Sequence, residues 1–230
     1  MKRWMLGCFA AAAASLWLAG CGSTKSDDIN AAVIFQSYRY EFNAGTGHTI
    51  GQARFLVRTA AGEMIRLVSP AEVRLNGALM TDFSDFLKRG YEMVLNRYER
   101  IGTFRYTDRD RMVYTNTADL TQVASIAMPA GLTEIDSSRD FTIRWTGDAL
   151  GPQETAVLEV KWTNGAYNQN VSETGLTGIR LTTHDLGAIG RRTVSMRLQR
   201  LRKMPLQQAT PMGGEMELVW SSPTVQVQIR

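Results

Sequence analysis

Apolar side chains recur at every second residue along much of this chain. Tyr38, Tyr40 and Phe42 share one face of an extended segment, as do Phe55 with Val57, Tyr91 with Met93 and Leu95, and Leu158 with Val160 and Trp162. Successive side chains of a strand point to opposite sides of a sheet, so a period of two buries one face and solvates the other. Gly, Asn, Asp and Pro divide the stretches at short intervals, and no long amphipathic helical pattern interrupts them. The pattern predicts an all-β fold.

Expected strands in the first half are Ala32 to Phe42, Gln52 to Thr59, Met64 to Val68, Glu72 to Leu75, Tyr91 to Tyr98, Gly102 to Thr107 and Met112 to Thr117. Arg74-Leu75-Asn76-Gly77 reads as a strand running into a tight turn, and Thr107 to Met112 as a second hairpin. The spacing of Phe83, Phe86 and Leu87, with Asp82 as cap and Gly90 as stop, predicts one short helix. After an apolar stretch at Val123 to Met128 the strand pattern starts afresh, which places a domain boundary near residue 120. The second half carries strands at Asp140 to Thr146, Thr155 to Thr163, Gly178 to Thr183, Arg192 to Leu201 and Glu215 to Ile229. In the last of these, Met216, Leu218 and Trp220 are even-numbered, whereas Val225, Val227 and Ile229 are odd. The inward face changes parity across Ser221-Ser222-Pro223, so the strand has to break or kink there.

Blocks 31–120 and 121–230, each with about seven short strands, match the size of immunoglobulin-like sandwiches. The second block resembles a fibronectin type III or bacterial immunoglobulin-like domain in its Phe141-Thr142-Ile143-Arg144-Trp145 strand, its long Thr193 to Leu201 strand and its Gly213-Gly214 lead-in to the last strand. The resemblance implies two tandem antiparallel β-sandwiches and no chemistry, because that architecture serves adhesion, spacing and accessory roles alike.

Ahead of these blocks, Met1-Lys2-Arg3, an apolar run from Trp4 to Leu18 and small residues up to Cys21 have the layout of a secretory signal. The apolar run is too short to cross a bilayer as a mature helix. Residues 22–30, Ile29 apart, are small, polar or charged and suit a flexible tether. Leu18-Ala19-Gly20-Cys21 is similar to the lipobox of bacterial lipoproteins. That resemblance implies cleavage of residues 1–20, a diacylglycerol on the Cys21 sulfur and an acylated new amino terminus. At about 0.8 kcal/mol per buried methylene, several acyl chains make such an anchor effectively permanent. Gly22, where Asp would favour inner-membrane retention, implies by the same resemblance an outer-membrane protein facing the periplasm.

Cys8 lies in the signal, so the expected domains hold no thiol, which excludes disulfides, thiol catalysis and Cys-ligated metal within them. Loss of Lys2 and Arg3 with the signal leaves a nearly neutral chain, without general attraction to nucleic acid.

Chemistry-bearing constellations are sparse. The two histidines, His48 and His184, stand in a loop sequence and at a strand end, no Gly-x-Ser-x-Gly elbow or His-Glu-x-x-His spacing accompanies them, and His184 and Asp185 would point apart if extended. Asp108 and Asp110 could face a calcium ion, but Arg109 and Arg111 interrupt the acidic field, and a self-neutralising turn explains the run better. No catalytic residue, metal or cofactor is expected. The clearest charge concentration is Arg191, Arg192, Arg197, Arg200, Arg202 and Lys203. It reads either as a site for an anionic partner or as a charged edge that keeps strands from pairing between molecules.

These features predict a lipid-anchored envelope protein acting as a non-catalytic binding or scaffolding module for an envelope partner. The rivals are a cell-wall or carbohydrate hydrolase using Glu134 with Asp136 or Asp108 with Asp110, and a solute- or lipid-binding protein with a concave apolar site.

Overall fold

The structure, a computed structural model, describes residues 24–85 and 88–230. The signal segment and Cys21 lie outside the described residues.

The first ten strands are β1 (Thr24–Lys25), β2 (Ile34–Asn43), β3 (His48–Val57), β4 (Ile65–Arg66), β5 (Glu72–Leu75), β6 (Ala78–Leu79), β7 (Thr81–Asp85), β8 (Lys88–Leu95), β9 (Ile101–Thr107) and β10 (Val113–Asp119). The remaining strands are β11 (Glu134–Ile135), β12 (Phe141–Arg144), β13 (Glu154–Trp162), β14 (Gly165–Val171), β15 (Gly178–Leu181), β16 (Thr193–Pro205), β17 (Gly214–Ser221) and β18 (Val225–Ile229), with a short helix α1 (Thr183–Ile189) before β16. The protein is all-β, and its sheets pack face to face as sandwiches.

One sheet runs through the whole molecule. Its order is β11-β18-β16-β17-β2-β3-β8-β7, with β13 on the other edge of β16 and β14 beyond β13. Two smaller sheets cover a single face of it. The sheet β10-β9-β5-β6 closes a core in which Val73, Leu75, Phe104 and Tyr106 meet Tyr38, Tyr40, Phe55, Met216 and Leu218. The pair β12-β15, with α1, closes a second core in which Ile143, Ile179, Leu181, Leu186 and Ile189 meet Leu158, Val160, Met196, Leu198, Val227 and Ile229.

Strand β16 makes this sharing possible. At 13 residues it is long enough to pair with β18 through Thr193 to Met196 and with β17 through Gln199 to Pro205, while β13 runs along its opposite edge. The expected break falls between β17 and β18, and the change of parity is the passage from one core to the other. Met216 and Leu218 enter the first core, Val227 and Ile229 the second, and Trp220 packs against both.

A division at residue 120 therefore describes the cores incompletely. The chain leaves the first core after Val123 and enters the second at Ile126, but Met204, Leu206, Met216 and Leu218 return to the first. The return also makes β17 parallel to β2, so the large sheet is not purely antiparallel.

Three local expectations give way to tertiary pairing. Thr81–Asp85 and Lys88–Leu95 pair as strands β7 and β8, with Asp82 opposite Tyr91 and Phe83 opposite Gly90; Phe86 and Leu87 lie outside the described residues. Partnership of β8 with β3 outweighs the weak local helix signal. Val123 to Met128 contributes buried side chains and one isolated bridge, Ala127 with Thr146, in place of a strand. The expected tether is docked from Thr24 onward, through parallel pairing of β1 with β4. The turn at Asn76-Gly77 matches expectation: both residues have positive φ, 50° and 84°, as a two-residue hairpin turn of the primed type requires.

Candidate functional site

Alternation that buries one face of the large sheet presents the other to solvent. Opposite Tyr38 and Tyr40 stand Ser37, Arg39 and Glu41; opposite Ala53 and Phe55 stand Gln52 and Arg54. On β13 and β16 of the same sheet, Glu159 and Lys161 alternate with Leu158 and Val160, and Arg197 and Gln199 with Met196 and Leu198. With Glu217 of β17, these ten side chains from five adjacent strands line a groove of about 480 Å³ on the uncovered face.

Most of its charges are held by one another. Arg39 lies opposite Glu217 in register and donates to it at 3.2 Å, and to Glu41 at 2.9 Å. Arg197 lies opposite Glu159 and donates to it at 2.6 Å from Nη2, while Lys161 approaches the same carboxylate at 3.4 Å. Gln199 donates to Ser221 Oγ at 3.0 Å, and Ser221 donates to Glu41 at 2.5 Å. Gln52 donates to Glu92 at 2.7 Å at the groove's edge. Burial alone would raise the Glu159 carboxyl, but the Arg197 hydrogen bond and the charges of Arg197 and Lys161 more than offset it and hold the group below the usual carboxylate range. A carboxylate held ionised in this way is a poor general acid at neutral pH. It is well suited to fixed electrostatic recognition.

The basic residues singled out in the sequence do not form one patch. Arg197 belongs to the groove. Arg191 is exposed, and Arg192 lies over the Trp162 ring with its guanidinium carbon 5.1 Å from the centroid. Lys203 pairs with Glu215 and Glu217 at 3.4 and 3.7 Å. Arg202 donates from Nη1 to the Gln122 carbonyl at 2.8 Å.

Arg200 corrects the expectation of a solvent-facing cation. β16 continues past Leu201 to Pro205, so Arg200 keeps the inward parity of Val194, Met196 and Leu198 and is buried. It donates to Glu154 and to the carbonyls of Asp148 and Ala149 at 2.8 and 2.6 Å. Buried, and with four of its five N–H donors bonded inside the protein, it does not face solvent with the other basic side chains.

Three of the four carboxylates expected of a hydrolase are engaged within the fold. Asp108 is buried and accepts the backbone N–H groups of Asp110 and Met112 at 2.8 and 2.9 Å, which builds the β9–β10 turn. Glu134 pairs with Arg230 at 3.0 Å, and Asp136 accepts the Ser138 N–H at 2.9 Å, the main cause holding its carboxyl low. His184 sits in α1, next to an Asp185 whose carboxylate accepts from the Thr182 N–H and Oγ1 in a capping box. Among the described residues no cluster of His, Cys, Asp and Glu has the arrangement of a metal site.

No protein-family model matches the chain, and no curated protein matches it. Among solved structures it is similar to the FN1–FN3 domains of chicken CNTN1, at 10% identity and a TM-score of 0.27 over 84% of this chain and 65% of that one. It is also similar to a structure concerning host cell surface retention of a 1.5-MDa bacterial ice-binding adhesin, at 15% identity and a TM-score of 0.23 over 86% of this chain and 66% of that one. The chain thus spans just under two thirds of the length of each. Likeness at this level adds nothing to the fold, which rests on its own strand pairing.

Proposed function

We propose that the protein is a lipid-anchored envelope component, held at the outer membrane on its periplasmic side through Cys21, and that it works as a non-catalytic binding or scaffolding module whose contact surface is the uncovered face of the shared sheet. The observation that carries this reading is the groove itself. Its lining has Arg39, Arg54, Lys161 and Arg197 against Glu41, Glu159 and Glu217, with Gln52, Gln199 and Ser37 between them and no aromatic or aliphatic side chain. A solute or lipid site calls for a largely apolar concavity, which this is not. An array of mixed charges, most of them fixed by one another, matches a protein surface of complementary charge, and confinement to the membrane raises the effective concentration of such a contact without strong affinity.

Two experiments test the two halves. Cys21→Ser should release the protein from envelope membranes and remove the acyl mass; continued membrane fractionation with no change in mass would end the anchoring half. Photo-crosslinkers at Gln52 and Lys161 in intact cells should capture one envelope protein, and the combined reversal Arg197→Glu with Glu159→Arg should abolish that capture. Equal capture from a residue on the opposite side of the molecule, such as Thr103, would end the binding half.

A further inference from the structure

The segment that reads as a tether is fastened to the domain. Thr24 donates to Glu63 Oε1 from N at 3.2 Å and from Oγ1 at 2.6 Å. Ser26 is fully buried, its N–H donating to the Arg66 carbonyl at 2.9 Å and its Oγ accepting the Val68 N–H at 2.8 Å. Farther along, Arg109 Nη1 donates to the carbonyls of Asp27 and Ile29 at 3.1 and 2.9 Å. The chain is held from Thr24 onward, and Cys21 precedes Thr24 by three residues. At no more than about 3.6 Å per residue, three residues reach roughly 11 Å. A headgroup layer is itself about 5 to 8 Å thick.

Resting on the reading of Cys21 as the lipid-bearing residue, we propose that the surface around β1 lies against the lipid headgroups of the membrane that holds the anchor, so that the sandwich has a fixed orientation instead of swinging on a linker. The side chains there suit that boundary. Lys25, Arg66 and Arg111 are exposed, and Met112, at 60%, is the most exposed large hydrophobic residue among those described. The turn that carries Arg111 and Met112 also carries Arg109, which ties it to Asp27 and Ile29. An apolar side chain flanked by guanidinium groups can enter the acyl boundary while the cations meet phosphate. Asp27, Asp28, Glu63 and Asp110 balance the local charge, so the short covalent reach sets the orientation and bulk attraction does not.

No cysteine follows Cys21 in the sequence, and with its sulfur held as the lipid thioether it leaves no free thiol, so single cysteines at other positions can each carry an environment-sensitive dye. Probes at Met112→Cys and Lys25→Cys report the proposed face. Probes at Ile101→Cys, roughly 20 Å from Thr107 at the far end of β9, and Thr163→Cys, on the β13–β14 turn, report elsewhere. The full-length protein, purified with its modification, is reconstituted into vesicles of phosphatidylethanolamine and phosphatidylglycerol doped with a headgroup-nitroxide lipid. Mass spectrometry first reads the acyl chains, and their absence overturns the anchoring reading itself. With the chains present, quenching several-fold stronger at 112 and 25 than at 101 and 163 supports the fixed orientation, and equal quenching at all four overturns it. A Gly-Ser insertion between Ser23 and Thr24 should bring the first two probes down to the level of the others. Undiminished quenching with the insertion would overturn the role of the short reach.

Discussion

The Arg200 guanidinium is locked to the Glu154 carboxylate, donating from Nε at 3.0 Å, with the two side chains only 2% and 7% exposed, beside the Trp220 ring that touches both cores. A buried cation survives only with its charge and hydrogen bonds answered, and here the carbonyls of Asp148 and Ala149 add two acceptors to the carboxylate. Arg200→Met alone leaves a buried carboxylate without its partner and should cost about 3 to 5 kcal/mol by chemical denaturation. The double replacement Arg200→Met with Glu154→Met should recover most of that loss.

The same pair sets an acid limit. Burial pushes the Glu154 carboxyl up, but the Arg200 hydrogen bond and charge, with the Gly151 and Ala124 amides, more than offset this and leave it below its ordinary value. A carboxylate lowered in the folded state contributes stability above its unfolded pKa of about 4.3 and loses it as pH falls through the lower folded value. Stability should therefore drop below about pH 4.3 more steeply in the parent protein than in Glu154→Gln, as read by urea midpoints across an acid series.

Strand β10 would be a free edge of the smaller sheet were it not closed by two glutamines. Gln208 Oε1 accepts the Thr115 N–H and Gln207 Oε1 the Thr117 N–H, each at 2.7 Å, while Asn116 Oδ1 accepts the backbone N–H groups of Gln207 and Gln208. Replacing both glutamines by Ala should cost about 1 kcal/mol per lost bond and speed hydrogen exchange at the Thr115 and Thr117 amides. Light scattering should also reveal more self-association, because an unpaired edge is a template for another strand.

Gly102 admits the Tyr40 ring: a Cβ at that position would lie 2.5 Å from Tyr40 Cε2. Tyr40 is buried and donates to the Glu99 carbonyl at 2.9 Å, so it has little room to withdraw. Gly102→Ala should destabilise the protein by about 1 to 3 kcal/mol in a thermal or denaturant melt.

Ser26→Ala removes the acceptor of the part-buried Val68 N–H and should cost about 1 kcal/mol locally. Limited proteolysis near residues 24–30 should quicken while the midpoint of the main transition hardly moves.

How far the sequence discloses this molecule depends on the range of the interaction. The strands of Tyr38 and Tyr40, of Leu158 and Val160, and the break after Ser221 are legible because alternation is a local property of each segment. The pairing of β7 with β8 is not, since the strand state of β8 is imposed by β3, whose partner residues, from Ala53 opposite Tyr91 to Thr49 opposite Leu95, lie far earlier in the chain. Return of β17 to the first core is likewise non-local. Its one trace is the parity change, whose two halves serve different cores. The burial of Arg200 was within reach: extending the alternation of Val194, Met196 and Leu198 by one step points it inward. Carrying the outward parity of the neighbouring strands in the same way collects Arg39, Glu41, Gln52, Glu159 and Arg197, but only the strand order brings them to one groove. The docking of Thr24 and Ser26 left no pattern, because small polar residues serve a tether and a hydrogen-bonded edge equally well.

Sharing of a single sheet by two cores is what gives the groove a rigid floor, and it is tested most directly by a fragment of residues 24–123 followed through far-ultraviolet circular dichroism and thermal unfolding. Deprived of Met204, Leu206, Met216 and Leu218, the fragment should show no cooperative transition. A cooperatively folded fragment as stable as the whole chain would contradict the shared sheet and return the protein to two independent sandwiches.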